Sequence, residues 1–111
     1  MLKFDLQEYL TENGQSPFNT WLLGLRDIRA RARVRTRLDR VRLGNLGDYA
    51  SVGDGVFELR IFYGPGYRVY YSQEADNLML LLIGGTKDTQ RRDIRTAREY
   101  LVDYRRRESD D

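Results

Sequence analysis

The sequence predicts a single α+β domain over residues 1–111, with an antiparallel sheet, two N-terminal helices and a C-terminal helix. Three observations lead to this prediction. Apolar residues recur at helical spacing in the N-terminal part of the chain, three apolar-rich runs joined by short connections follow, and helical spacing then returns. A chain of 111 residues can bury one core but not two.

The chain begins with a strand pattern and a helix start. Residues 2–10 alternate apolar and polar side chains as far as Leu6, which predicts a short strand, and residues 11–15 have the composition of a turn. Ser16 is typical of a helix N-cap and Pro17 of the first helical position, where its missing N–H costs nothing. Apolar residues then recur at helical spacing: Phe18, Trp21, Leu22 and Leu25.

Residues 28–43 fit two patterns. Small or apolar side chains alternate with arginine, as in a strand, but the segment is long for a strand and rich in helix formers. Asp27 can cap a helix here and Gly44 can end one. We therefore predict a helix whose apolar stripe consists of Ala30, Val34, Leu38 and Val41. Because the arginines would spread around such a helix, a single basic stripe is not expected.

The second half of the chain predicts an antiparallel meander. Residues 44–55 contain four glycines and are predicted to form a loop. Three apolar-rich runs follow, and their connections are so short that neighbouring strands should be antiparallel. The runs cover residues 56–63, 67–73 and 78–83. The third is apolar throughout, which predicts a central strand buried on both faces.

A last helix is predicted after a second glycine loop over residues 84–89. The helix would begin near Asp88 or Thr89. Its apolar stripe would consist of Ile94, Ala97, Leu101 and Tyr104. Residues 105–111 are polar and are predicted to be a frayed tail.

The first hairpin of the meander carries two distinct faces. A three-residue turn at 64–66 would pair Tyr63 with Tyr67, Phe62 with Arg68 and Arg60 with Tyr70. One face would then be an ordinary core face, consisting of Leu59, Ile61, Tyr63, Tyr67, Val69 and Tyr71. The other would be polar, consisting of Glu58, Arg60, Phe62, Arg68, Tyr70 and Ser72. It is either a solvated face with an Arg–Glu pair or a surface that holds phosphate.

The composition restricts the chemistry. The chain has no cysteine and no histidine, which excludes disulfides, thiolate chemistry and the usual general base near neutral pH. The glycine patterns match no nucleotide-binding motif and the carboxylates do not cluster, so we predict neither a cofactor nor a metal. No apolar run could span a membrane and the N-terminus does not resemble a signal peptide, so a cytoplasmic location is expected.

Basic charge is concentrated in one segment. The chain carries 17 arginines and two lysines against 17 acids, and residues 26–43 alone hold eight arginines and two aspartates. This segment is either a solvated helix face or an electrostatic footprint for phosphate or an acidic protein. Lys87 lies in a glycine-flanked stretch before a helix, which is a modest indication of an anion site.

Several motifs occur together in an order that resembles a known family. They are Gly44-Asn45-Leu46-Gly47-Asp48, Gly55-Val56-Phe57-Glu58-Leu59-Arg60-Ile61, Tyr63-Gly64-Pro65-Gly66-Tyr67-Arg68-Val69-Tyr70-Tyr71, Leu81-Leu82-Ile83-Gly84-Gly85-Thr86-Lys87-Asp88-Thr89-Gln90, and Asp93-Ile94 with Ala97. Their order resembles the HigB-like addiction-module killer proteins, the phage-associated branch of the RelE/ParE toxin superfamily. The resemblance covers residues 21–104.

This resemblance implies a RelE-like fold, with two N-terminal helices packed on one face of an antiparallel sheet and a C-terminal helix at its edge. It implies a toxin of a type II toxin–antitoxin system that cleaves mRNA on the ribosome and restrains growth. A cognate helix-turn-helix antitoxin would neutralise it. The 2′-OH of RNA would attack the adjacent phosphate, giving a 2′,3′-cyclic phosphate without a metal.

The resemblance also assigns residues to the site. Arg60, Arg68 and Lys87 match basic positions that RelE-like toxins direct at RNA, and Tyr70 is a weaker match. The arginines would stabilise charge on the phosphorane, because preorganised donors do this strongly, and Lys87 or Tyr70 would move protons. Residues expected to bind RNA are Gln90, Arg91 and Phe62. Two alternatives stay open: a ParE-like inhibitor that binds DNA gyrase without cleaving RNA, and a degenerate toxin kept for antitoxin binding.

Overall fold

The computed structural model describes residues 3–110. Three residues lie outside this range: Met1, Leu2, which was predicted to begin the first strand, and Asp111, which was predicted to belong to the tail. The elements along the chain are β1 (Asp5–Glu8), α1 (Pro17–Gly24), α2 (Ile28–Arg42), β2 (Tyr49–Gly53), β3 (Val56–Ile61), β4 (Tyr67–Ala75), β5 (Leu78–Thr86), a 3-10 turn (Lys87–Thr89) and α3 (Gln90–Ser109).

The five strands form one mixed sheet in the order β1-β5-β4-β3-β2. The predicted antiparallel hairpins β3–β4 and β4–β5 are confirmed. The sheet as a whole is not antiparallel, because β1 pairs with β5 in parallel, with Leu6 opposite Met79. β5 is an interior strand as predicted, but the central strand is β4. The parallel pairing was missed because β1 finds its partner far away along the chain, where local pattern carries no information. The centre lies at β4 because β2, which was predicted to be loop, adds a strand beyond β3.

The first two helices begin and end as their capping residues predict. The Ser16 hydroxyl accepts a hydrogen bond from the Asn19 N–H at the start of α1. The Asp27 carboxylate accepts from the Arg29 N–H at 2.9 Å and caps α2. α2 ends before Gly44, whose φ of +94° favours glycine. The predicted stripe of α2 is buried: Ala30, Val34, Leu38 and Val41.

Two predicted loops are partly strand. β2 lies inside the glycine-rich segment 44–55 and pairs antiparallel with β3, and Gly53 and Gly55 flank the tight turn between them with positive φ. Gly84 and Gly85 lie within β5. A Cβ on Gly84 would meet the Trp21 ring at 2.2 Å, and one on Gly85 would meet Asp93 Oδ2 at 1.8 Å. These two glycines therefore serve close packing on the two faces of one strand.

The sheet separates two hydrophobic clusters. On one face α1 and α2 pack with side chains that include Leu59, Val69 and Tyr71. On the other face Ala97 and Leu101 of α3 pack on Val56, Tyr70, Leu80 and Leu82. α3 therefore lies across a sheet face. The resemblance implied a position at the sheet edge, which is wrong.

The C-terminal segment is ordered helix. α3 runs to Ser109, and Arg105 bonds Glu74 while Arg107 bonds Asp103. The prediction of a frayed tail from residue 105 is wrong, because these ion pairs and the turn-to-turn hydrogen bonds hold the polar end of the helix. Among residues 3–110, no helix combines the length and apolarity needed to cross a membrane.

Candidate functional site

The β3–β4 hairpin has a wider turn than predicted. Arg60 faces Arg68, and Glu58 faces Tyr70. The predicted pairing of Arg60 with Tyr70 is wrong by two residues, because the strands stop at Ile61 and Tyr67 and the turn includes Phe62 and Tyr63. An even shift leaves each side chain on its predicted face, so the division into two faces holds.

The polar face is divided into a covered part and an open part. α3 covers Tyr70 and Ser72, which are fully buried. Arg60 and Arg68 lie beyond the cover of α3, with side chains 35% and 13% exposed. Phe62, in the turn, is 80% exposed. The two arginines therefore form a polar rim where the sheet meets solvent.

Glu58 holds this rim together. Its side chain is 1% exposed. One carboxylate oxygen accepts a hydrogen bond from Arg60 Nε at 2.8 Å. The other accepts from Gln90 Nε2 at 2.8 Å and lies 3.6 Å from Arg68 Nε. This buried carboxylate therefore hydrogen-bonds Arg60 and the first residue of α3, and forms an ion pair without a hydrogen bond with Arg68.

A second carboxylate supports Arg60 from the loop before β2. Asp48 Oδ1 lies 3.3 Å from Arg60 Nη1. The hydrogen bond that Arg60 donates to Glu58, the charge of Glu58 and the charge of Asp48 raise the pKa of Arg60 above its ordinary value. Arg60 is therefore held on two sides and stays fully charged.

Lys87 begins the 3-10 turn directly after β5 and lies near Arg68. The Lys87 N–H donates to the Gly66 carbonyl at 2.8 Å. The point that a Cβ on Gly66 would occupy is 3.6 Å from both Arg68 Nη1 and Lys87 Cβ. The Lys87 side chain itself is exposed. The positive φ of Gly66, +84°, allows the hairpin turn to pass this close to both cations.

Tyr70 occupies a different environment from the other predicted catalytic residues. It has no exposed surface, and its hydroxyl has no hydrogen-bond partner among the described residues. Burial, and the charges of Glu58 and Asp93, raise its pKa well above the ordinary value. Tyr70 therefore keeps its proton and lies beneath the rim. Of the predicted RNA-binding residues, Gln90 bonds Glu58, while Arg91 and Phe62 are exposed.

An open groove with a volume of about 670 Å³ adjoins this rim. It runs between α2 and the end of β3. Its basic lining consists of Arg29, Arg33, Arg37, Arg40 and Arg60. As expected, the seven arginines of α2 do not all face one way, but these four repeat every three or four residues and so lie on one side of the helix.

The polar-face pattern predicts an Arg–Glu pair, but not that Glu58 joins Arg60, Arg68 and Gln90. Glu58 and Arg60 are two residues apart on a strand, so their side chains share a face and can bond. The bond to Gln90 could not be found this way, since it depends on how α3 docks.

Comparison with known proteins adds a relative. The chain is 48% identical over 81 residues to an uncharacterized protein of Haemophilus influenzae, an alignment that covers 73% of this chain and 82% of that protein. The chain belongs to the family of that protein. No family model matches the chain.

Proposed function

We propose that this protein is the toxin of a type II toxin–antitoxin system, with a RelE-like fold, and that it cleaves mRNA on the ribosome as a metal-independent endoribonuclease. The observation that carries the proposal is the cross-strand pair of Arg60 and Arg68, both anchored on buried Glu58, with Lys87 beside them. RNA supplies its own nucleophile, so the protein needs to place the strand, stabilise charge and move protons.

The two arginines suit charge stabilisation because their anchors leave donors free. Arg60 uses Nε and Nη1 for Glu58 and Asp48, and Arg68 uses Nη1 for the Gly66 carbonyl. The Nη2 group of each makes no hydrogen bond within residues 3–110. Fixed guanidinium donors can bind the non-bridging oxygens of a phosphate and gain strength as charge builds on the phosphorane.

The chemical step follows from RNA itself. The 2′-OH attacks the adjacent phosphorus, the bond to the 5′-oxygen breaks, and the products are a 2′,3′-cyclic phosphate and a 5′-OH. One proton leaves the 2′-oxygen for solvent water and one joins the 5′-oxygen. Lys87 is the accessible residue of the site that can donate the second proton. Tyr70 is too deeply buried to contact RNA and takes no part in proton transfer.

The same cationic rim accounts for the expected partners. A ribosome presents mRNA phosphates and surrounding rRNA, both of which attract a basic surface. A cognate helix-turn-helix antitoxin would neutralise the toxin by covering the arginines of the rim.

The decisive experiment is to induce the chain in a sensitive bacterial host and to map new mRNA 5′ ends. Codon-phased cuts in translated regions are expected, and they should disappear in Arg68→Lys and Lys87→Ala. Arg68→Lys keeps the positive charge beside Glu58 while removing the guanidinium fork, so the fold is expected to survive. Arg95→Ala, an exposed arginine of α3, is the matched control and should cut normally.

A different outcome would contradict the proposal. If translation continues normally in induced cells while plasmid DNA loses negative supercoiling, the protein acts on gyrase by binding. If growth is unaffected and the purified chain only binds an antitoxin, it is a degenerate toxin.

A further inference from the structure

The groove beside α2 has an excess of positive charge that the rest of the molecule does not neutralise. Arg29, Arg33 and Arg40 have no carboxylate within 4.0 Å among residues 3–110. Asp48 is the acid in the groove lining, and it bonds Arg60. An arginine groove with one committed carboxylate is a site for an anion.

Arg37 forms the floor of the groove and keeps its charge. Its Nε donates to the Arg60 carbonyl at 3.2 Å and its Nη2 to the Asp48 carbonyl at 2.9 Å. These carbonyl acceptors position the guanidinium without cancelling its charge. Partial burial lowers its pKa, but the group stays protonated in any protein. The bonds also tie α2 to the strand that carries Arg60, so the groove and the rim form one rigid unit.

Arg33 is also held in place. Its guanidinium lies over the Tyr63 ring, 5.0 Å from the centroid, and the Tyr63 hydroxyl donates to Asp27 Oδ2 at 3.0 Å. A side chain positioned in this way loses less entropy when it binds a ligand. At the rim end of the groove, Phe62 exposes 80% of its surface, as a stacking platform would.

We propose that this groove binds the single-stranded RNA on one side of the cleaved phosphate, with α2 arginines on successive phosphates and Phe62 stacked on a base. The inference rests on the proposed function and extends it with a subsite for flanking nucleotides. Two observations favour a nucleic acid over an acidic protein segment. Arg60 belongs to both the groove and the rim, so one strand can run through both, and the exposed aromatic ring matches a base.

The test uses the purified full-length chain and fluorescently labelled RNA with a 2′-O-methyl group at every position, which removes the nucleophile and prevents cleavage. Affinities are measured for a tetranucleotide and a dodecanucleotide over a range of salt. The groove variant is Arg29→Gln/Arg33→Gln. The matched control is Arg31→Gln/Arg35→Gln, which removes the same charge at the same spacing from α2 residues outside the groove lining.

The wild type should bind the dodecanucleotide more tightly than the tetranucleotide. The groove variant should lose roughly tenfold in dodecanucleotide affinity, and its salt slope should fall by about 1.4, because each phosphate contact on a single strand contributes about 0.7. Its tetranucleotide affinity should be unchanged, and the control should match the wild type. Circular dichroism should show that both variants are folded.

Several results would overturn the inference. One is an equal loss of RNA affinity in the groove variant and the control, and another is equal affinity for the longer and the shorter RNA. Tighter binding of duplex than of single-stranded RNA would also overturn it. So would an acidic peptide that displaces the labelled RNA at lower concentration than unlabelled RNA does. If these occur while codon-phased cuts persist in cells, the groove inference fails and the proposed function stands. If the cuts are absent and neither oligonucleotide binds, both fail.

Discussion

The two long helices lie on opposite faces of the sheet and treat the same residue in opposite ways. α2 and α3 each contain seven arginines. In α3, five of these lie within 4.0 Å of a carboxylate: Arg92, Arg98, Arg105, Arg106 and Arg107. In α2, Arg42 alone among the described residues does so. Most arginines of α3 are therefore paired with carboxylates, two of them outside the helix, while those of α2 leave a positive field over the groove.

The difference follows from where acids are available. α3 contains four acids of its own and also reaches Glu74 and Asp54 on the strands and turns below it. α2 contains one acid, Asp39, which Arg42 occupies. The number of arginines in a helix therefore predicts neither binding nor stability. An arginine paired with a carboxylate contributes to stability, and one without a carboxylate partner is available to bind an anion.

The largest expected effect comes from disturbing the docking of α3 at β5. Gly85→Ala would place a Cβ 1.8 Å from Asp93 Oδ2, and the buried carboxylate has little room to move. We expect a loss of roughly 3 kcal/mol in the free energy of unfolding, measured by denaturant titration.

Gly24→Ala is the control for this substitution, since a Cβ there meets nothing within 4 Å. It should change the free energy of unfolding by less than about 1 kcal/mol. A Gly85→Ala protein as stable as Gly24→Ala would show that α3 does not dock on β5 in the way described.

The next largest effect on stability is expected at Glu58, which bonds Arg60 beside the groove and Gln90 of α3. Glu58→Gln removes the charge that Arg60 and Arg68 share, and leaves Asp48, which lies 3.3 Å from Arg60, as the carboxylate beside the two guanidinium groups. We expect a loss of about 2 kcal/mol in the free energy of unfolding, since hydrogen bonds to a buried charge are lost or weakened. Glu99→Gln, an exposed residue of α3, should be neutral. Equal stability of the two variants would mean that Glu58 does not organise the rim.

Single arginine substitutions compare the two helices directly. Arg105→Ala breaks a two-pronged contact with Glu74 and should cost about 0.5 kcal/mol, the usual size for a partly exposed pair. Arg29→Gln should cost nothing, or stabilise by a few tenths of a kcal/mol, because a cation in the first turn opposes the helix dipole. Thermal unfolding would show which of the two variants is less stable. An Arg29→Gln protein less stable than the Arg105→Ala protein would contradict the contrast between α2 and α3.

Tyr9 directly follows β1 and bonds Asp103 of α3, and its contribution to stability depends on pH. Burial and the 2.6 Å hydrogen bond to Asp103 raise the pKa of Tyr9 to about 12 from its ordinary 10.0. Because the neutral phenol is favoured in the folded state, this contribution is complete below pH 10.0 and is lost as the pH rises toward about 12. Tyr9→Phe should lack this alkaline loss, which unfolding measured across that pH range would detect.

Much of the fold could be predicted because it depends on neighbours in sequence. The caps Ser16 and Asp27, the buried stripe of α2 and the two faces of the hairpin follow from local chemistry and periodicity. β2 could not be predicted, because its short run lies among glycines and becomes a strand only against β3. The parallel pairing of β1 depends on a partner more than 70 residues away.

The candidate site shows the same division. Arg60, Arg68 and Lys87 could be named from residue type and order, and the structure brings them together. Phe62 and Arg91 are exposed as RNA contacts would need to be, whereas Tyr70 is buried beneath the rim. Its burial could not be predicted because α3, which covers it, lies far along the chain.

The sequence by itself determined that the chemistry would depend on arginine, lysine and carboxylate groups, since histidine and cysteine are absent. It also determined the helices, the meander and the face on which each hairpin side chain lies, because periodicity and capping act within a few residues. The tertiary structure alone decided which arginines are neutralised and which remain free. Charge pairing acts through space over a few ångströms, and the residues that meet at that distance come from distant parts of the chain.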